Sequence, residues 1–285
     1  KPLWESLANG KMWMEAAGQI FFSLSVGFGV IITYASYMRR DDDIALSSTS
    51  AVAGNEFFEV SLGGMITIPA AFIFLGVAGV VGGTFALGFN TLPLVFEYMP
   101  LGRLFGFLWF FLLFLAAITS SISMLQPAIA FLQEGLGLDR ARAAALLCGV
   151  GTAGTLLVVW FSKNLVAMDT LDFWAGTFCI YLLACAQTFI FGWVFGPKRG
   201  LEELDRGAEL RVPRIFVFVI KYVSPVYLAV VFMAWAVQDV GARVRSFVDD
   251  PAVRWTMLFL VGVCLLFLWW IRLAVKRWRQ QEGLS

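Results

Sequence analysis

No histidine occurs among the 285 residues. That absence excludes Ser-His-Asp triads, Cys-His dyads and histidine-based metal sites. Charge is scarce too: Asp, Glu, Lys and Arg supply 14% of the chain, where a soluble domain carries roughly 25%. A net charge of +1 gives no electrostatic pull on an acidic partner, which excludes a nucleic-acid binder. The few cysteines, Cys148, Cys179, Cys185 and Cys264, all sit inside apolar runs. They are expected to be small buried hydrophobes rather than a disulfide framework. No signal peptide is expected at the start, which is Lys1.

Apolar side chains dominate instead. They make up 60% of the sequence, 16% of it is aromatic, and the mean hydropathy is +0.80. A transmembrane helix needs about 20 mostly apolar residues. Seven stretches meet that condition: 12–38, 60–77, 106–133, 143–161, 173–196, 214–237 and 253–275. The breaks between them have polar or helix-breaking causes, such as Arg39-Arg40-Asp41-Asp42-Asp43 and Gly196-Pro197-Lys198-Arg199-Gly200. The charged stretch from Gln238 to Asp250 is expected to end the sixth span. Seven spans place the chain ends on opposite sides. With the C-terminal tail cytoplasmic, fourteen of the 21 Lys and Arg residues fall inside and seven outside, which orients the N-terminal end outward. The fold class is therefore an all-α polytopic membrane protein.

Two connecting segments are unusual. Residues 39–58 are charged, then rich in small polar residues (Ser47-Ser48-Thr49-Ser50), then carry Asn55-Glu56. Residues 78–105 are too apolar for a free loop and are expected to form a helical hairpin over the outer face.

Three places concentrate polar groups at membrane depth. The first span contains Ser23, Ser25, Gly27 and Gly29 between apolar flanks. Such a run reads equally as a broken helix at a binding site or as a packing seam for a neighbouring helix. In the third span Thr119 and Ser120 follow Ala116 by three and four residues, on one helix face. They could hold a small hard cation, although hydroxyls bonded back to the preceding turn are the simpler reading. Acidic residues stand near span ends: Glu59, Glu134, Asp169 and Asp172. Carboxylates at membrane depth are functional candidates, whereas a carboxylate at a helix end merely meets water. The second reading suits Asp169 and Glu134 best. An intramembrane enzyme using Ser and Asp lacks any evident nucleophile–base pair.

Four runs taken together are more specific. GQIFFSLSVGFGVIITYASY (18–37), NEFFEV (55–60), AITSSISMLQP (117–127) and DFWAGT (172–177) resemble the neurotransmitter:sodium symporter family, especially its bacterial amino-acid transporters. The resemblance covers essentially the whole chain in order. It implies the second half of an inverted-repeat core of five plus five helices, followed by two C-terminal helices. The seven spans resemble family helices six to twelve, with helices one to five supplied upstream of Lys1. Residues 1–200, including the external hairpin 78–105, would be the second repeat, and 201–285 the two accessory helices.

The same resemblance implies residue roles. Ser23 and Asn55 look like side-chain ligands of a first sodium ion. Ala116 (by its carbonyl), Thr119 and Ser120 look like ligands of a second. Phe22, Ser23, Ser25, Phe28, Ser120 and Met124 match substrate-pocket positions, with Met124 where close relatives have Ile. Glu59 stands where chloride-dependent relatives have Ser, implying a carboxylate that substitutes for chloride. Asp172, Phe85 and Phe28 resemble outer-gate residues, and Glu134 and Tyr37 inner-gate residues. The implied activity is sodium-coupled, chloride-independent uptake of a neutral, hydrophobic amino acid across the cell inner membrane, with two sodium ions. Implied partners are the amino acid, sodium, the bilayer, the upstream helices and a second copy in a homodimer. A non-transporting structural or regulatory membrane subunit of the same fold is the alternative. A channel fits less well, because Phe28 and Phe85 would occlude a continuous pore.

Overall fold

A computed structural model of the protein describes residues 4–39, 41–81, 87–209 and 211–281. Every regular element among the described residues is helical. In chain order these are α1 (Gly10–Ser23), α2 (Val30–Ala35), α3 (Ile44–Glu56), α4 (Gly64–Val81), α5 (Leu92–Glu97), α6 (Gly102–Leu136), α7 (Arg140–Trp160), α8 (Val166–Leu171), α9 (Ile180–Phe189), α10 (Pro197–Leu204), α11 (Ile215–Phe218), α12 (Ser224–Asp249) and α13 (Pro251–Gln281). Wider π turns at Phe57–Gly63, Asp172–Cys179, Ile190–Phe195 and Val219–Val223 join successive helices into longer rods.

Six of these rods are long and apolar enough to cross a membrane: Ile44–Phe74, Gly102–Leu136, Arg140–Trp160, Val166–Phe195, Ile215–Asp249 and Pro251–Gln281. The chain is thus a multi-pass membrane protein. The first expected span is not one helix: it is α1 and α2, interrupted between Ser23 and Val30.

Several sequence-based boundaries need correction. The second span starts at Ile44, not near residue 60, so most of the polar link 39–58 is helix. Ser and Thr cost a helix only a few tenths of a kcal/mol each. No Pro or Gly interrupts residues 44–53, so polarity there does not mean a loop. The charged stretch 238–249 likewise continues α12 to Asp249. Of the hairpin 78–105, Leu87–Thr91 and α5 are helical and precede α6, while Phe85 lies outside the described residues. The cysteines are unpaired as expected but not buried: Cys148, Cys179 and Cys264 are exposed and Cys185 is half-buried. In a bilayer an apolar residue has no need of the protein interior, so an apolar run does not imply burial.

The chain divides into two compact units, one formed by Lys1–Asp43 with Met124–Ser285 and the other by Ile44–Ser123. The first unit holds two clusters of buried side chains. One joins Met14 and Ala17 of α1 to Phe173, Tyr181 of α9, and Leu228, Val231 and Trp235 of α12. The other joins Ile129 and Leu132 of α6 to Ala143 and Leu147 of α7 and Trp270 of α13. In the first cluster the buried Tyr181 hydroxyl donates to the Leu228 carbonyl at 2.7 Å. Tyr181→Phe is expected to lower stability by about 1 kcal/mol, read as a lower melting temperature of the detergent-solubilised full-length protein. An unchanged melting temperature would show that this bond is not what ties α9 to α12.

In the second unit, α3, the π turn Phe57–Gly63 and α4 form one rod, whose membrane-length portion ends at Phe74. Most of its large apolar side chains face outward, including Phe58, Met65 and Ile73.

Candidate substrate and ion site

The backbone leaves helical geometry directly after Ser23. Ser25, Gly27 and Gly29 have φ values of 57°, 86° and 77°. Ser25 is the costly member, because an L-residue in the left-handed region loses roughly 1–2 kcal/mol. The chain folds back on its own last turn: the Leu24 amide donates to the Ile20 carbonyl, that of Ser25 to Phe22, and that of Val26 to Phe21. Beyond that point the amides of Gly27, Phe28 and Gly29 find no acceptor among the described residues. α2 then restarts, with the Thr33 amide and hydroxyl both donating to the Gly29 carbonyl at 3.0 Å.

The helix is broken here and its small residues also pack against a neighbour, at different positions. Gly18 lies against α1's neighbour, where an added Cβ would sit 2.9 Å from the Thr177 methyl group. That is a packing contact. Gly27 combines a positive φ with a close approach to Ile180, whose carbonyl oxygen would lie 2.8 Å from an added Cβ. Gly29 has room, with Pro127 of α6 at 3.6 Å.

The expected pocket residues of the first unit bracket this break. Phe22 and Phe28 come from its two sides, and their rings meet edge to face with centroids 5.4 Å apart. Ser23 and Ser25 are partly buried, and the Ser23 hydroxyl donates to the Ile20 carbonyl at 3.3 Å. On α6, Met124 belongs to the first unit and Ser120, one turn earlier on the same helix, to the second.

In the second unit the Asn55 amide nitrogen donates to a Glu59 carboxylate oxygen at 3.2 Å. A carboxylate only accepts, so the amide must turn its NH2 toward it and its carbonyl oxygen away. The pair thereby places a neutral oxygen beside a negative charge, an arrangement suited to a hard cation. Glu59 lies on a π turn, a backbone irregularity frequent at functional sites. On α6 the Thr119 hydroxyl donates to the carbonyls of Leu115 at 2.9 Å and Ala116 at 3.1 Å. Back-bonding and ligation are compatible here: with its proton aimed along the helix, the hydroxyl's lone pairs face outward beside Ser120.

Of the expected gate residues, Phe28 is half-buried at the break, Phe85 lies outside the described residues, and Tyr37, Glu134 and Asp172 are exposed. Tyr37 follows α2, Glu134 stands in the last turn of α6, and Asp172 opens the π turn Asp172–Cys179, well inside the rod that begins at Val166. Two contacts had no sequence signal. The Arg243 guanidinium stacks 3.5 Å above the Phe173 ring, beside a cleft of about 160 Å³ that includes Asp169 and Trp174. Lys221 lies over Trp193.

The family model described as "Sodium:neurotransmitter symporter family" matches residues 1–279. The chain belongs to that family. It is therefore part of a membrane transporter lineage and not an enzyme. Among relatives of this family chain, an uncharacterized sodium-dependent transporter of Haemophilus influenzae is 29% identical over 79% of this chain and 50% of its own length. One from Methanocaldococcus jannaschii is 28% identical over 93% of this chain and 55% of its own. The sodium-dependent nutrient amino acid transporter 1 of Drosophila yakuba is 25% identical over 94% of this chain and 43% of its own. A crystal structure of MhsT in complex with L-phenylalanine superposes with a TM-score of 0.71 and 27% identity, covering 82% of this chain and 54% of that one. The chain thus spans about half the length of the relatives it matches.

Proposed function

We propose that the full-length protein carries a neutral, hydrophobic amino acid across the cell inner membrane by alternating access, driven by the sodium gradient and independent of chloride. The observation that carries this reading is the break at Leu24–Gly29. An apolar span offers no water to its exposed amides, so a backbone break there requires a ligand or cavity to satisfy it. Discontinuous helices are a known property of this same family, in which half-helix ends meet substrate and ions.

Ser23 and Asn55 each offer a side-chain oxygen to sodium. The Ala116 carbonyl and the Thr119 and Ser120 hydroxyls offer oxygens to a second sodium ion. Phe22, Phe28 and Met124 supply apolar surface to the substrate side chain, with Ser25 and Ser120 beside it. The bound L-phenylalanine of the MhsT structure supports a substrate of this type. Glu59 provides the negative charge for which chloride serves in relatives with Ser at this position. Asp172 and Phe85 act on the outer side with Phe28, and Glu134 and Tyr37 on the inner side. The C-terminal end is cytoplasmic. Because Ser23 and Ser120 would each serve both an ion and the substrate, ion and substrate should each raise the affinity for the other.

Uptake of radiolabelled neutral amino acids by proteoliposomes containing the full-length protein tests this. Uptake should require an inward sodium gradient and persist when gluconate replaces chloride. No sodium dependence would defeat the transport reading, and collapse in gluconate would defeat the role of Glu59.

A further inference from the structure

We propose that Lys221, caged by Trp193 and Tyr222, binds the phosphate headgroup of an anionic phospholipid. The Lys221 ammonium lies 5.4 Å from the centroid of the Trp193 ring and 5.5 Å from that of Tyr222. The two rings meet edge to face at 5.8 Å, and the Trp193 indole N–H donates to the Lys221 carbonyl at 3.1 Å. The cage is therefore held by the backbone of one helix and the ring of another.

Position assigns the solvent that this ammonium meets. Trp193 is close to the end of the rod Val166–Phe195, and Lys221 is close to the start of the next, Ile215–Asp249. Trp and Tyr mark the depth of the headgroups, and a lysine stem reaches from the apolar region to that level. Aromatic faces attract a cation but offer no lone pairs to its three N–H donors. Among the described residues no carboxylate lies within 4.0 Å of Lys221. A phosphate supplies both the missing oxygens and the opposite charge.

The surroundings favour a lipid over a free anion. Trp193 and Tyr222 are 53% and 45% exposed; exposed Phe189 stacks on Trp193 and exposed Phe218 leans on Tyr222 at a tilt. Acyl chains would cover these rings, whereas a soluble phosphate would leave them bare. The link between the two rods carries five basic and four acidic residues, so its net charge of +1 leaves the attraction to an anionic headgroup with Lys221 itself.

Native mass spectrometry of the purified full-length protein, titrated with phosphatidylglycerol and separately with phosphatidylcholine, tests the site. Phosphatidylglycerol should bind more tightly. Lys221→Gln should weaken it about fivefold while leaving phosphatidylcholine unchanged, and Lys221→Arg should keep it. The proposal fails if Lys221→Gln leaves the phosphatidylglycerol titration unchanged or weakens both lipids alike. It also fails if inorganic phosphate at matched concentration displaces phosphatidylglycerol, which would make the site one for free anions. Lipid retention is read without transport, so this outcome is separate from that of the uptake assay.

Discussion

Gly27→Val should reduce sodium-driven uptake by at least tenfold in the full-length protein, at unchanged abundance in the membrane. Two independent costs fall on this position. Its φ of 86° lies where a side chain carries a backbone penalty of roughly 1–2 kcal/mol. A Cβ there would also lie 2.8 Å from both the carbonyl oxygen and the Cγ2 methyl of Ile180, so the broken segment must move away from α9. Gly29→Ala separates the two costs. It keeps the backbone penalty at a φ of 77°, but its nearest neighbour is Pro127 at 3.6 Å, an ordinary contact. Its uptake should fall several-fold less than that of Gly27→Val. Equal uptake by both variants and the parent would show that the conformation of this break is not needed for transport. Melting temperatures of both variants distinguish a damaged site from a damaged fold.

The second large effect is expected at Glu59. Glu59→Ser should leave little uptake in gluconate and regain it in chloride, with a difference of about tenfold or more. Removing the carboxylate takes away the negative charge next to the Asn55 amide, and serine leaves space in which an anion can stand. Glu59→Gln removes the charge but fills the space, so chloride should not restore it. Asn55→Ala should raise the sodium concentration needed for half-maximal uptake on the order of tenfold to a hundredfold, the range of one interaction with a charged group. The 3.2 Å bond from the Asn55 amide to Glu59 links these expectations. Loss of the carboxylate's charge removes the negative partner beside the Asn55 oxygen, so Glu59→Gln should weaken sodium as well. Full activity of Glu59→Gln in gluconate would contradict the proposed role.

Much of the architecture was readable from hydropathy, because crossing a bilayer demands a long apolar stretch whatever surrounds it. Six of the seven expected spans follow from that rule, while the glycines and serines at 23–29 left a broken helix and a packing seam equally open until the structure showed the break. The rule failed at polar helix. Residues 44–56 and 238–249 contain Ser, Thr, Asp and Arg, which helices accept readily once they extend past the apolar core. It also misjudged the cysteines, since lipid accommodates a thiol on an outer helix face as readily as the protein interior does. At the candidate site Asn55 and Glu59 were each singled out through the resemblance, but the hydrogen bond between them came only with the structure. The contacts of Tyr181 with Leu228 and of Trp193 with Lys221 were not legible either, because each joins two different helices.

The sequence by itself determined that this symporter-family chain lives in a membrane and roughly where it crosses. Those properties sum over local residues. Only the tertiary structure decided how each small residue is used: Gly18 as a seat for Thr177, Gly27 as a left-handed turn pressed on Ile180, and Gly29 as the cap from which α2 restarts. The reason is physical. A glycine permits both a close approach and a positive φ, and which one it adopts depends on the neighbour that the rest of the fold sets against it.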